Sequence, residues 1–122
     1  MSKPKSEPAS AATDADALDG RIERLHQAIL EVRAGRRLSP RTIKLLKSGR
    51  AKMAQKVIEE AAELSIEAVR GNRDGLVAES VDLIYNLLVL WSEAGVSPSE
   101  IAAEMDRRER LLGMSEKLPK SE

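Results

Sequence analysis

From Leu18 onward, apolar residues return every three or four positions. Leu18, Ile22, Leu25, Ile29 and Val32 hold one face of a helix, the spacing of a segment packed on one side. The pattern predicts a first helix over about 15–34, ended by Gly35. RRLSPRTIKLLKSG then carries a short helix, with Ser39 as N-cap, Pro40 in the first position and Gly49 at its close. A long helix follows over about 50–70, with Val57, Ala61, Leu64 and Ala68 as its apolar stripe. In the turn RGNRDG, Gly71 stops that helix and Asp74 caps the next. The segment over about 75–94 is apolar on nearly every side, the mark of a buried helix, and Gly95 ends it. Ser97, Pro98 and Glu100 form a capping box that opens a last helix to about 112. No segment alternates as a strand does. Short connections between long helices make neighbours antiparallel. The expected fold is all-α, an antiparallel bundle of four to five helices.

Outside this pattern, residues 1–14 are rich in Ser, Pro, Ala and Lys and read as a disordered tail, and residues 114–122 as a polar one. One domain is expected over 15–113. With no Phe, one Trp and one Tyr, its core rests on Leu, Ile, Val, Ala and Met. The 20 basic and 20 acidic residues cancel, so no global charge draws the chain to nucleic acid or membrane. Without Cys, thiolate sites and disulfides are excluded. His26 is the only histidine and has no partner for a zinc site. No apolar run reaches the roughly 18 residues of a membrane span. The N-terminus lacks the apolar stretch of a signal peptide, and Glu7, Asp14 and Asp16 argue against a transit peptide. Cytoplasmic residence is the expectation.

Charge changes the picture on the two central helices. Lys52, Lys56, Glu60, Glu63 and Glu67 share a stripe on the first. Taken alone, that is a solvated face with a Lys56–Glu60 pair worth ~0.2–0.5 kcal/mol. The second helix carries Glu79, Asp82 and Asn86 amid apolar residues. Isolated buried carboxylates are costly, so these need partners: Arg70 or Arg73 in the bland case, a metal in the other. Two carboxylate pairs, Glu60 with Glu63 and Glu79 with Asp82, each spaced i, i+3, can converge on Mg²⁺ or Mn²⁺, which favour hard oxygen ligands. Such an ion suits phosphate chemistry, and Lys52 and Lys56 are placed to hold phosphates. Neither a glycine-rich phosphate loop nor a Ser/His/Asp or Cys/His set is available for other chemistry.

EEAAE at 59–63 followed by ESVD at 79–82 resembles the EExxE…ExxD pattern of the all-α, MazG-like nucleoside triphosphate pyrophosphohydrolases. A longer stretch, over about residues 18–118, is similar to phosphoribosyl-ATP pyrophosphohydrolase of histidine biosynthesis. Its carriers are AQKV–EEA, VDLIYNLLVL and the Gly-Val-Ser start of the last helix. This resemblance implies cleavage of the α–β phosphoanhydride of phosphoribosyl-ATP to phosphoribosyl-AMP and pyrophosphate. It implies Mg²⁺ on Glu60, Glu63, Glu79 and Asp82, and Glu59, with Glu60, as the catalytic carboxylates that orient or activate water. It implies substrate contacts from Lys52, Lys56, Thr42, Lys44 and Asn86, and a homodimer that completes the bundle. The chain departs from the usual pattern at Ile58 (a Gly), Asn86 (a His) and Arg41 (a Tyr). Those departures keep open a pyrophosphohydrolase of another nucleoside triphosphate, and beside it a catalytically silent helical dimerisation module.

Overall fold

The computed structural model describes residues 17–112, so both expected tails fall outside the described residues. Five helices follow one another: α1 (Leu18–Arg33), α2 (Pro40–Lys47), α3 (Arg50–Val69), α4 (Arg73–Ala94) and α5 (Pro98–Leu112). There is no strand among the described residues. The all-α bundle expected from the periodicity is the fold observed.

α3 and α4 form the central antiparallel pair and pack together more extensively than any other two elements. α1 lies against α4, and α2 bridges α1, α3 and α4. The core is small: Ile29 of α1, Met53 of α3, and Leu88 and Val89 of α4 are fully enclosed, with Leu45, Leu46, Tyr85 and Trp91 packed around them. It gathers at the C-terminal half of α4. The N-terminal half of the same helix leaves Val77 and Val81 exposed, and α3 leaves Ile58, Ile66 and Val69 exposed. The expectation of a helix buried on nearly every side is therefore met by half of α4 only.

By length and composition alone, α4 is apolar enough to cross a membrane, although no uninterrupted apolar run has that length. Its acidic pair Glu79 and Asp82 and its packing against α3 are features of a bundle helix.

The turns hold two surprises. The cap of α4 is Asn72 rather than Asp74: its side chain accepts from the Gly75 N–H at 3.1 Å. Ser39 is the N-cap residue of α2, but its hydroxyl bonds the Thr42 side chain and caps nothing. Ser97 does accept from the Glu100 N–H, at 3.3 Å. α4 ends at Gly95, whose φ of 73° is the left-handed conformation that favours glycine.

Candidate functional site

The antiparallel α3–α4 pair brings acidic side chains from two helices together. One carboxylate oxygen each from Glu60, Glu79 and Asp82 lies within 4.8 Å of the others. Glu60 is buried at 8% exposure, and the other two are half-buried. Glu60 Oε1 and Glu79 Oε1 are sealed from solvent with no hydrogen-bond partner. Partial burial, the Glu63 charge, and then Glu60 and Asp82 push the Glu79 carboxyl above its ordinary value. The Arg70 or Arg73 pairing that would have explained Glu79 blandly does not occur among the described residues. A hard divalent cation would satisfy both orphaned oxygens and relieve the crowding, so the donor set fits such an ion.

Glu63 stands apart. It is exposed and outside the trio, yet its charge is the strongest of the like charges felt by Glu79. It borders the cluster from the solvent side. Lys56 closes another flank, 3.7 Å from both Glu59 and Glu60. Glu59 accepts a hydrogen bond from Gln55 Nε2 at 2.7 Å. That bond, with the Lys56 and Lys52 charges, outweighs desolvation and holds Glu59 below the usual carboxylate range. Glu59 is thus kept ionised, a ready acceptor from water.

Beside the trio opens a cavity of about 320 Å³, lined among others by Arg41, Lys44, Lys52, Lys56, Glu59 and Asn86. It is of a size that holds a small molecule. Four cations on its walls call for an anionic ligand. Asn86 is 1% exposed. Its Nδ2 donates to the Asp82 carbonyl at 2.9 Å, and its Oδ1 is buried without a partner. Thr42 is placed differently. It is buried, 2.6 Å from Tyr85 Oη and 3.1 Å from Ser39 Oγ, and lines a separate groove with Leu25, Ile29 and Tyr85.

Sequence reasoning passed over Arg41 and Tyr85 as site residues. The signal for Arg41 was its place one turn before Lys44 on α2, which puts both on one face. Nothing local singles out Tyr85, whose stacking on Arg41 is a tertiary contact.

A family profile described as phosphoribosyl-ATP pyrophosphohydrolase matches residues 22–109. The chain belongs to this family. A relative named phosphoribosyl-ATP pyrophosphatase 2, from Rhodopseudomonas palustris, is 53% identical over 100 residues, covering 82% of this chain and 76% of the relative. Its namesake from Bradyrhizobium diazoefficiens is 51% identical over 100 residues, covering 82% and 75%. Phosphoribosyl-ATP pyrophosphatase from Gluconobacter oxydans is 43% identical over 96 residues, covering 79% and 72%. The carboxylate trio and the cation-lined cavity lie wholly within the span matched to the family.

Proposed function

We infer that this chain hydrolyses phosphoribosyl-ATP to phosphoribosyl-AMP and pyrophosphate, a step of histidine biosynthesis, with Mg²⁺ as cofactor. The observation that carries the chemistry is the trio Glu60, Glu79 and Asp82, with two buried, partnerless oxygens, beside a cavity walled by four cations. The substrate follows from family membership and from the names of the relatives. Nothing in the site favours another triphosphate or a silent module.

Glu60, Glu79 and Asp82 would hold the ion, with Glu63 as a fourth donor at the solvent edge. When bound, Mg²⁺ neutralises phosphate charge and acidifies a water molecule. Mn²⁺, equally suited to oxygen ligands, is an acceptable substitute. Lys44, Lys52 and Lys56 hold phosphate oxygens. Asn86 offers its unpartnered Oδ1 to a donor on the nucleotide. Glu59, ionised and hydrogen-bonded to Gln55, orients water and takes its proton. The water oxygen bonds to a phosphorus of the α–β linkage, the bridging P–O bond breaks, and pyrophosphate departs. Thr42 contributes from behind, by fixing Tyr85.

The exposed apolar stripes of α3 and α4 support a homodimer, in which a second copy covers Ile58, Ile66, Val77 and Val81. The substrate is a soluble metabolite, consistent with the cytoplasmic location expected from the sequence; no nucleic acid or membrane partner is invoked.

Pyrophosphate release from phosphoribosyl-ATP with Mg²⁺, run beside a panel of nucleoside triphosphates, tests this reading. Release from phosphoribosyl-ATP in preference to the panel is expected. Glu60→Gln should reduce it by more than about a hundredfold, beyond the loss typical of residues that merely support metal ligands, with helical circular dichroism unchanged. Full activity in Glu60→Gln would sink the site, and release from the panel alone would reassign the substrate.

A further inference from the structure

Arg41 is one of the four cations of the cavity but has no contact of its own in the chemistry assigned so far, and a ring face restrains it. Its guanidinium lies 4.4 Å from the centroid of the Tyr85 ring, well inside the range of a cation–π contact. Tyr85 is itself fixed: its hydroxyl is 2.6 Å from Thr42 Oγ1, which in turn accepts from Ser39 Oγ at 3.1 Å. A chain of contacts across the first turn of α2 and the middle of α4 therefore restrains a solvent-exposed side chain that would otherwise sample many rotamers. The guanidinium is aimed at the acidic trio, 3.9 Å from Asp82 Oδ1. That separation is too long for a hydrogen bond. Among the described residues no hydrogen bond engages its N–H donors.

The placement has a consequence for ligands. Arg41 and Lys44 stand one turn apart on α2, Lys52 and Lys56 one turn apart on α3, and all four line the same cavity. Lys56 is drawn to Glu59 and Glu60, on the α3 side of the trio. Arg41 is the cation beside Asp82, on the α4 side. A planar guanidinium presents paired donors to two oxygens of a phosphate, which a lysine cannot do.

We propose that Arg41 is a substrate-binding residue that grips the pyrophosphate portion of the nucleotide, held in register by the face of Tyr85. This rests on the pyrophosphohydrolase reading of the same site. As the bridging P–O bond breaks, negative charge grows on the departing pyrophosphate, and a preset guanidinium meets it without rearrangement.

Binding of inorganic pyrophosphate to the Mn²⁺-loaded protein, followed by calorimetry, tests the proposal without turnover. Mn²⁺ binding alone is measured alongside, for wild type, Arg41→Lys and Arg41→Gln. Arg41→Gln should weaken pyrophosphate binding by about tenfold or more, the loss expected for a charge-assisted hydrogen bond. Arg41→Lys should fall between it and wild type, and the Mn²⁺ affinity of both variants should match or exceed that of wild type. Equal pyrophosphate affinity in wild type and Arg41→Gln would overturn the proposal. So would a parallel loss of Mn²⁺ affinity, which would make Arg41 a support of the ligand set, or a wild type that binds no pyrophosphate. The two readings fail separately. Arg41-dependent pyrophosphate binding in a protein inert toward phosphoribosyl-ATP would remove the substrate and keep Arg41. Turnover of phosphoribosyl-ATP with the same KM and the same pyrophosphate inhibition in Arg41→Gln would remove Arg41 alone.

Discussion

Glu79 holds its proton more firmly than an ordinary glutamate because it is partly dried and shares its space with three other carboxylates. Its ionised form therefore works against the metal-free fold. Replacing it with a neutral amide of the same shape removes that repulsion. Glu79→Gln should melt at a higher temperature than wild type without metal, yet lose metal-dependent turnover; a lower melting temperature would show that the repulsion is unimportant. The i, i+3 spacing was enough to mark Glu60, Glu79 and Asp82 in the sequence, because spacing fixes which side chains share a helix face. It could not separate Glu60 from Glu63. Which of the two turns inward depends on how α3 is rotated against α4, and that is decided by packing at Met53, Leu88 and Val89. Asn86 was visible as a polar interruption in an apolar helix, whereas the Arg41–Tyr85 stack joins residues 44 positions apart and left no local trace.

Most helix ends were legible, since Gly, Pro or a capping Ser stands beside them; the start of α1, expected near 15 and observed at Leu18 after an uncapped Ala17, was not. A further exception is the α3–α4 turn, where Asn72 and Asp74 are both competent caps. Gly75 helps decide between them. A Cβ at this position would sit 2.5 Å from Asn72 Nδ2 and 3.0 Å from Glu67 Cδ, and Asn72 Nδ2 also donates to Glu67 Oε1 at 2.9 Å. Gly75→Ala should thus destabilise the protein in thermal melts, although alanine is favoured over glycine by about 1 kcal/mol in an open helix; a stabilised variant would show that the cap yields freely. At the other end of the chain, α5 carries a charge-dependent element. Glu104 is bound by Arg107 and Arg108 and is lowered to about 2 from 4.5. A lowered carboxylate contributes fully above its unfolded value and loses that contribution as pH falls toward its folded one. Helicity of α5 should decline between about pH 4.5 and 2, less steeply in Glu104→Gln and in high salt, since the pair is exposed. Identical acid titrations for the two proteins would argue against the pair.

At the scale of the whole molecule, the apolar pattern predicted more burial than one chain supplies. Val69 is 88% exposed, Ile58 69% and Val81 62%; the first two lie on α3 beside the stripe of Val57, Ala61, Leu64 and Ala68, and Val81 lies on α4. An apolar sequence marks a helix face as able to be buried, not that anything in the same chain covers it, which is why α4 read as buried all round although Val77 and Val81 are exposed. Light scattering should give the mass of a dimer for wild type, and a shift toward monomer for Ile66→Lys. A monomeric wild type at micromolar concentration would leave the stripes unexplained.

The two sealed carboxylate oxygens, Glu60 Oε1 and Glu79 Oε1, also bear on survival. A cation that binds only the folded chain lowers its opening equilibrium, by about 2.7 kcal/mol at a hundredfold excess over Kd. Where proteases cut through rare openings, degradation follows that equilibrium. A chelator should then hasten digestion of wild type while leaving Glu79→Gln largely indifferent. On the metal assignment proposed above, the divalent ion supply of the cell sets the turnover of the polypeptide itself as well as that of its substrate.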